Sequence, residues 1–174
     1  TLTGDLYKQY EQALRDALMT GITILQKGGH SLGAVETAVM SLEDCPFFNA
    51  GRGSVFNSNG QHEMDAAIMD GRTQQAGAVA GISRFRNPIQ VARALMEKSK
   101  FVFLCGPGAN EFARDQQLAY ETEEYFYTEG RYKEWKQKIH DPAGKKMGTV
   151  GAVALDSAGN LAAATSTGGL TNKK

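Results

Sequence analysis

Hydroxyls and glycines crowd one short stretch, GTVGAVALDSAGNLAAATSTGG, which runs from Gly148 to Gly169. It holds Thr149, Thr165, Ser166 and Thr167, with Gly148, Gly151, Gly168 and Gly169 at the same end. Glycines let another group approach the backbone closely. A threonine hydroxyl is a poor nucleophile without a base beside it. One remedy makes the threonine the first residue of a chain, so that its own α-amine, with a reference pKa of about 7.7–8, serves as the base. For Thr149 this requires cleavage of the Gly148–Thr149 bond. The polar, proline-containing stretch 139–147 just before it reads as an exposed, mobile tail in which a cut is feasible. Periodicity alone reads the same segment as a structural core hairpin, since threonine favours strands in any case. In that reading Val150, Ala152, Ala154, Leu161 and Ala163 face one way around a turn at Ser157-Ala158-Gly159-Asn160.

Other chemistries find less support. GRGSVFNSNG and GPGAN lack the G-x-G-x-x-G spacing between strand and helix, and no G-x-x-x-x-G-K-[ST] occurs. Asn57, Asn59 and Gly60 mimic part of a calcium loop, but Val55 and Ala66 stand where carboxylates are required. His30, His62 and His140 are scattered without zinc-ligand spacing and read as surface or structural residues. No G-x-S-x-G elbow is present. Trp135 among Lys133, Lys136 and Lys138 reads as a solvated amphipathic helix face, not a nucleic-acid patch.

The elements that must position the hydroxyls follow from pattern. Leu6, Tyr10, Ala13, Leu14, Ala17, Leu18, Ile22 and Leu25 predict a helix over 5–27, with Asp5 as N-cap and Gly28-Gly29 as the stop. Ser31 opens a second helix through Leu42. Residues 47–63 read as a glycine- and asparagine-rich loop with a tight turn at Asn59-Gly60. Residues 64–83 predict two short strands around Asp70-Gly71. Asn87-Pro88 starts a helix to about Ser99, FVFLCG (101–106) reads as an apolar strand or buried edge, and another helix opens at Ala109. Residues 121–146 read as an exposed helix followed by a polar linker. This order predicts mixed α/β layering.

The 174 residues suffice for one domain with a sizeable core. Nineteen basic residues balance nineteen acidic ones, so no global field points to nucleic acid or an anionic membrane. No apolar run reaches the ~18–20 residues of a membrane helix, and the first residues do not resemble a signal peptide. Cys45 and Cys105 read as reduced thiols, and the expected location is cytoplasmic.

With these elements in place, GTVGAVALDSAGNLAAATSTGGLTNK (148–173) resembles the cleavage-site segment of the plant-type L-asparaginases, also called isoaspartyl or β-aspartyl peptidases. These are N-terminal-nucleophile hydrolases. SLEDCPFFNAGRGSVFNSNGQHEMDAAIMDGRTQQAGAVAGISRFRNPIQVAR (41–93) resembles the same family, and the blocks lie in the expected order. The resemblance implies an αββα four-layer sandwich, of which this chain covers part. It implies autoproteolysis into an α-subunit, 1–148, and a β-subunit that begins at Thr149, with 149–174 as its start. Thr149 would be the nucleophile and Thr167 the hydroxyl that hydrogen-bonds it. Asn49, Gly168 and Gly169 would support the site. Backbone carbonyls of Leu42, Glu43, Cys45, Phe48, Ala50 and Arg52 would hold a structural sodium ion, with no organic cofactor. The implied substrates are L-asparagine and β-aspartyl peptides, and the implied assembly is a homodimer of αβ units.

The family begins with a strand ending in HGGAG, ahead of where this sequence starts. It continues past TNK with GRVGDSP, whose Arg and Asp hold the substrate, and with TGTGE, which supplies the oxyanion hole. This sequence ends TNKK, so a longer protein is expected. The competing expectations are a glycosylasparaginase-like hydrolase of the same superfamily and a truncated, catalytically incomplete scaffold.

Overall fold

The computed structural model describes residues 4–140 and 148–174. Helix α1 (Gly4–Gln26) buries only Ala17 and Gly21, because these small residues let it lie close on α2 (Ser31–Asp44). The Gly21 Cα is near enough to the Ala34 carbonyl that an added Cβ would stand 3.1 Å from it. Helix α2 is apolar on several sides, burying Leu32, Val35, Val39 and Leu42, because it is sandwiched between α1 and a sheet. Helix α3 (Pro88–Lys98) starts with proline in its first turn, where the missing N–H costs nothing, and buries Ile89, Val91, Ala92, Leu95 and Met96.

The sheet has five strands in the order β3-β2-β1-β5-β4. They are β1 (Met64–Asp70), β2 (Gln75–Ile82), β3 (Phe103–Cys105), β4 (Val150–Leu155) and β5 (Leu161–Thr167). Only the β2–β3 pairing is parallel. Helices α2 and α3 cover one face. There Met64, Ile68, Val79 and Ile82 meet Phe85, Ile89, Leu95, Ala162 and Ala164 in one buried cluster. The other face stays open among the described residues. It carries Met69, Val153, Leu155 and Leu161, all exposed. Helices α4 (Gly106–Asp115), α5 (Glu123–Phe126) and α6 (Glu129–His140) complete the chain, and no helix among the described residues is long and apolar enough to cross a membrane.

The mixed α/β expectation holds, and several details change. Helix α4 starts at Gly106, with Pro107 in its first turn, three residues before the expected Ala109. FVFLCG is no buried edge. Phe101, Val102 and Phe103 are exposed, because β3 sits at the sheet's rim. Trp135 is half-buried on the Phe56 ring, at 5.5 Å, and over Gly60, so its face of α6 is not solvated. Helix runs to His140 where linker was expected; the rest of that linker, 141–147, and the side chain of His140 lie outside the described residues. His62 is buried and His30 exposed, as structural or surface residues would be.

Candidate active site

The hairpin β4–β5 decides which hydroxyls meet. Its connection is a five-residue turn, not the expected four: the Asp156 N–H donates to Asn160 O at 3.0 Å, and Gly159 N–H to Asp156 O at 3.0 Å. Gly159 takes φ +81, the left-handed residue that closes such a turn. The Asp156 carboxylate accepts N–H bonds from Asn160, Ser31 and Ala158, which pull its pKa down to about 2. The turn thereby registers Leu155 with Leu161 and Val150 with Ser166. Leu161 and Ala163 consequently lie with Val153 and Leu155 on the open face, opposite to the expected arrangement. A one-residue shift moves every side chain to the other side of the sheet.

That shift sets which hydroxyls face which side of the sheet. Ser166 turns inward and is buried, while Thr165 and Thr167 stand on the open face. Thr149, the residue just before β4, has the same parity as the open-face residues Gly151, Val153 and Leu155, and it is exposed. Thr149 and Thr167 are each one residue beyond the Val150–Ser166 pair that ends the β4–β5 ladder. Asp65 of β1 pairs with Thr167 from the other flank, and its carboxylate accepts the Gly81 N–H at 2.9 Å.

Asn49 ties this strand end to the loop after α2. Its Nδ2 donates to Gly169 O at 2.8 Å, its Oδ1 accepts the Val55 N–H at 3.1 Å, and its backbone O accepts the Gly168 N–H at 2.9 Å. A Cβ on Gly168 would overlap Asn49 Oδ1 and stand 2.7 Å from Ser54 Cβ, so only glycine permits this seat. The Gly169 N–H then donates to Thr167 Oγ1 at 3.0 Å, which leaves that hydroxyl's proton to point elsewhere.

The carbonyls of the loop after α2 pack against its own glycines. Glu43 O is turned onto Gly51 (φ +51), and Phe48 O and Pro46 O onto Gly53, so closely that a Cβ at either glycine would overlap them. Leu42 O accepts from Cys45 N–H at 3.3 Å and Ala50 O from Gly53 N–H at 3.1 Å, each with a lone pair to spare. The structure does not bring Arg52 or Cys45 side chains into a ligand cluster; among the described residues no three His, Cys, Asp or Glu side chains could hold a metal ion. The Glu43 side chain is fully buried, and burial raises its pKa to about 8, so it is neutral and accepts the Ile89 N–H at 2.9 Å.

Two residues escaped motif reading. Buried Arg131 clamps the same loop, with Nε donating to Gly53 O at 2.7 Å and Nη2 to Phe47 O at 3.1 Å. It sits in a run of Lys and Glu with no local signal. Lys173 sits beside Gly168, and its only signal is its position after the glycine pair.

A comparison with protein families matches residues 2–174 to the family described as asparaginase. The chain belongs to that family. The isoaspartyl peptidase of Salmonella typhimurium is 47% identical over 95% of this chain and 56% of its own length. The isoaspartyl peptidase/L-asparaginase of Danio rerio is 48% identical over 92% of this chain and 54% of its own length. The isoaspartyl peptidase/L-asparaginase of Homo sapiens is 44% identical over 99% of this chain and 58% of its own length. The chain therefore spans little more than half the length of these relatives.

Proposed function

We propose that the whole protein is a self-processing threonine hydrolase that releases L-aspartate from β-aspartyl peptides and L-asparagine. The observation that carries this reading is the position of Thr149 and Thr167, each next to the Val150–Ser166 pair that ends the β4–β5 ladder, at a strand end tied to the preceding loop by Asn49. In the precursor, Thr149 Oγ attacks the Gly148 carbonyl carbon. The C–N bond breaks, the nitrogen takes a proton to become the Thr149 amine, and water hydrolyses the resulting ester to free the Gly148 carboxylate. In the mature chain the amine takes the Thr149 hydroxyl proton as the oxygen attacks the side-chain carbonyl of the substrate. The proton then goes to the departing amine or ammonia, and water releases aspartate from the acyl-enzyme. The Thr167 hydroxyl, anchored from behind by the Gly169 N–H, is free to donate to the nucleophile.

The same proposal extends to the remaining expectations. The open face, apolar at Val153, Leu155 and Leu161, would be covered by a second sheet to make the αββα sandwich. A sodium ion would sit among the carbonyls of Leu42, Glu43, Cys45, Phe48, Ala50 and Arg52, shaping the loop that carries Asn49 and taking no part in the reaction. The two free cysteines support a reducing, cytoplasmic setting, and αβ units would pair as a homodimer.

Intact-mass analysis of the full-length protein tests the core of the reading. The expected result is a fragment beginning at Thr149 and aspartate release from β-Asp-Leu, both lost in Thr149→Ala. A Thr149→Ala protein that still processes would overturn it, and preference for GlcNAc-Asn over β-Asp-Leu would redirect it.

A further inference from the structure

The residues after β5 fold back on the loop that follows α2. Asn172 N–H donates to Phe56 O at 2.8 Å and Ser58 N–H to Lys173 O at 2.7 Å. The Lys173 ammonium reaches inward, half-buried, and donates to Glu63 O at 2.8 Å and Gly168 O at 3.0 Å. It lies across Gly169 so closely that a Cβ there would stand 3.0 Å from Nζ. Ordering a lysine side chain costs rotamer entropy, so a placement on two carbonyls calls for a reason.

Covalent connectivity supplies one. The Gly168 carbonyl that receives the ammonium and the Gly169 N–H that binds Thr167 Oγ1 belong to a single peptide group. A cation on the oxygen draws electron density through the amide resonance and makes the N–H a stronger donor. An oxygen that accepts a stronger bond in turn offers its own proton more readily. Asn49 prevents this peptide from turning, by accepting the Gly168 N–H and donating to Gly169 O. Lys173, the peptide and Thr167 thus form one line of hydrogen bonds that ends on the open face beside Thr149.

We propose that Lys173 is a positioning residue that orients and polarises the Thr167 hydroxyl through the Gly168–Gly169 peptide. The proposal rests on the threonine-nucleophile reading, and it concerns Thr167's partner on the side away from the substrate. Lys173 acts through charge and geometry, so arginine serves partly in its place and methionine does not.

The test is a double-mutant cycle in the full-length protein, read as the rate of precursor processing and as kcat and KM for β-Asp-Leu. Lys173→Met should slow both rates about 10- to 100-fold with KM within about twofold, since the lost interaction acts on the reacting groups and not on substrate binding. Lys173→Arg should recover a large part of the rate. In a Thr167→Ala background, Lys173→Met should change the rates less than about twofold, because coupled residues are non-additive. Unchanged rates in Lys173→Met, or an equal loss with and without Thr167, would overturn the assignment of Lys173 alone. If Lys173→Met lowers the melting temperature by more than a few degrees, the same cycle is read with Lys173→Gln, under the same criteria. Thr149→Ala run in parallel separates the two ideas: processing and turnover at the wild-type rate there would remove the nucleophile reading and Lys173's role with it.

Discussion

On the helix-covered face of the sheet, Met64, Ile68, Val79 and Ile82 are at most 2% exposed, whereas across the sheet Val153, Leu161 and Leu155 are 82%, 60% and 59% exposed. On the covered face Met64, Ile68, Val79 and Ile82 pack with the smaller Ala66, Ala162 and Ala164 against α2 and α3. The open face of β4 and β5 carries Val153, Leu155, Leu161 and Ala163, with Thr165, Thr167 and the neighbouring Thr149 toward one end. The contrast teaches that one side of the sheet carries the packing while the other presents hydroxyls and exposed apolar side chains. The same strand serves both: in β5, Ser166 points into the interior and Thr167 points out.

The largest effect is expected on the covered side. Phe85 is 1% exposed, and Phe85→Ala should cost about 3–5 kcal/mol in urea unfolding, by lost burial and a cavity. A loss below 1 kcal/mol would break the contrast between the faces. Next comes pH. Burial pushes the His62 imidazole down to about 4 from its ordinary 6.5, so it is neutral in the folded protein. Between pH 6.5 and 4 the unfolded chain binds the proton more readily than the folded one. Stability should therefore be full above pH 6.5 and fall as pH drops, by up to about 3 kcal/mol. His62→Gln should flatten that acid limb. Urea midpoints at pH 7 and 4.5 provide the check.

At the rim where the faces meet, Gly168→Ala should cost about 1–3 kcal/mol by overpacking against Asn49 and Ser54, and it should slow precursor processing. The smallest effect sharpens the comparison most. Val153→Ser should change the stability of residues 1–174 by less than about 0.5 kcal/mol, since the side chain is already exposed. In the full-length protein it should cost more than about 1 kcal/mol if a second sheet buries that face. Equal, near-zero values in both would leave the face uncovered.

Much of this was legible in the chain. Helices α1, α2 and α3 and strands β1 and β2 follow from apolar spacing and from Asn87-Pro88, and the Gly148–Thr149 bond stands out chemically. Local signals failed where the outcome depends on a partner element. Trp135 looks solvated among lysines until Gly60 and Phe56 are brought beneath it. FVFLCG looks buried until β3 is placed at the sheet's rim. Arg131 carries no motif, yet it holds two carbonyls of a loop nearly eighty residues earlier in the chain.

Sequence by itself determined the inventory: the hydroxyls near a cuttable bond, the glycines that must stay bare, and the helices that cover a sheet. These depend on residue type and short-range periodicity, which are written locally. Only the tertiary structure decided that Thr149 and Thr167 share a face. That outcome rests on a single residue of register, set by the left-handed Gly159 and by Asp156 gathering N–H groups from its own turn and from Ser31, 125 positions away. A strand's side chains alternate with a period of two, so one residue in a turn decided which side of the sheet Thr165, Ser166 and Thr167 face.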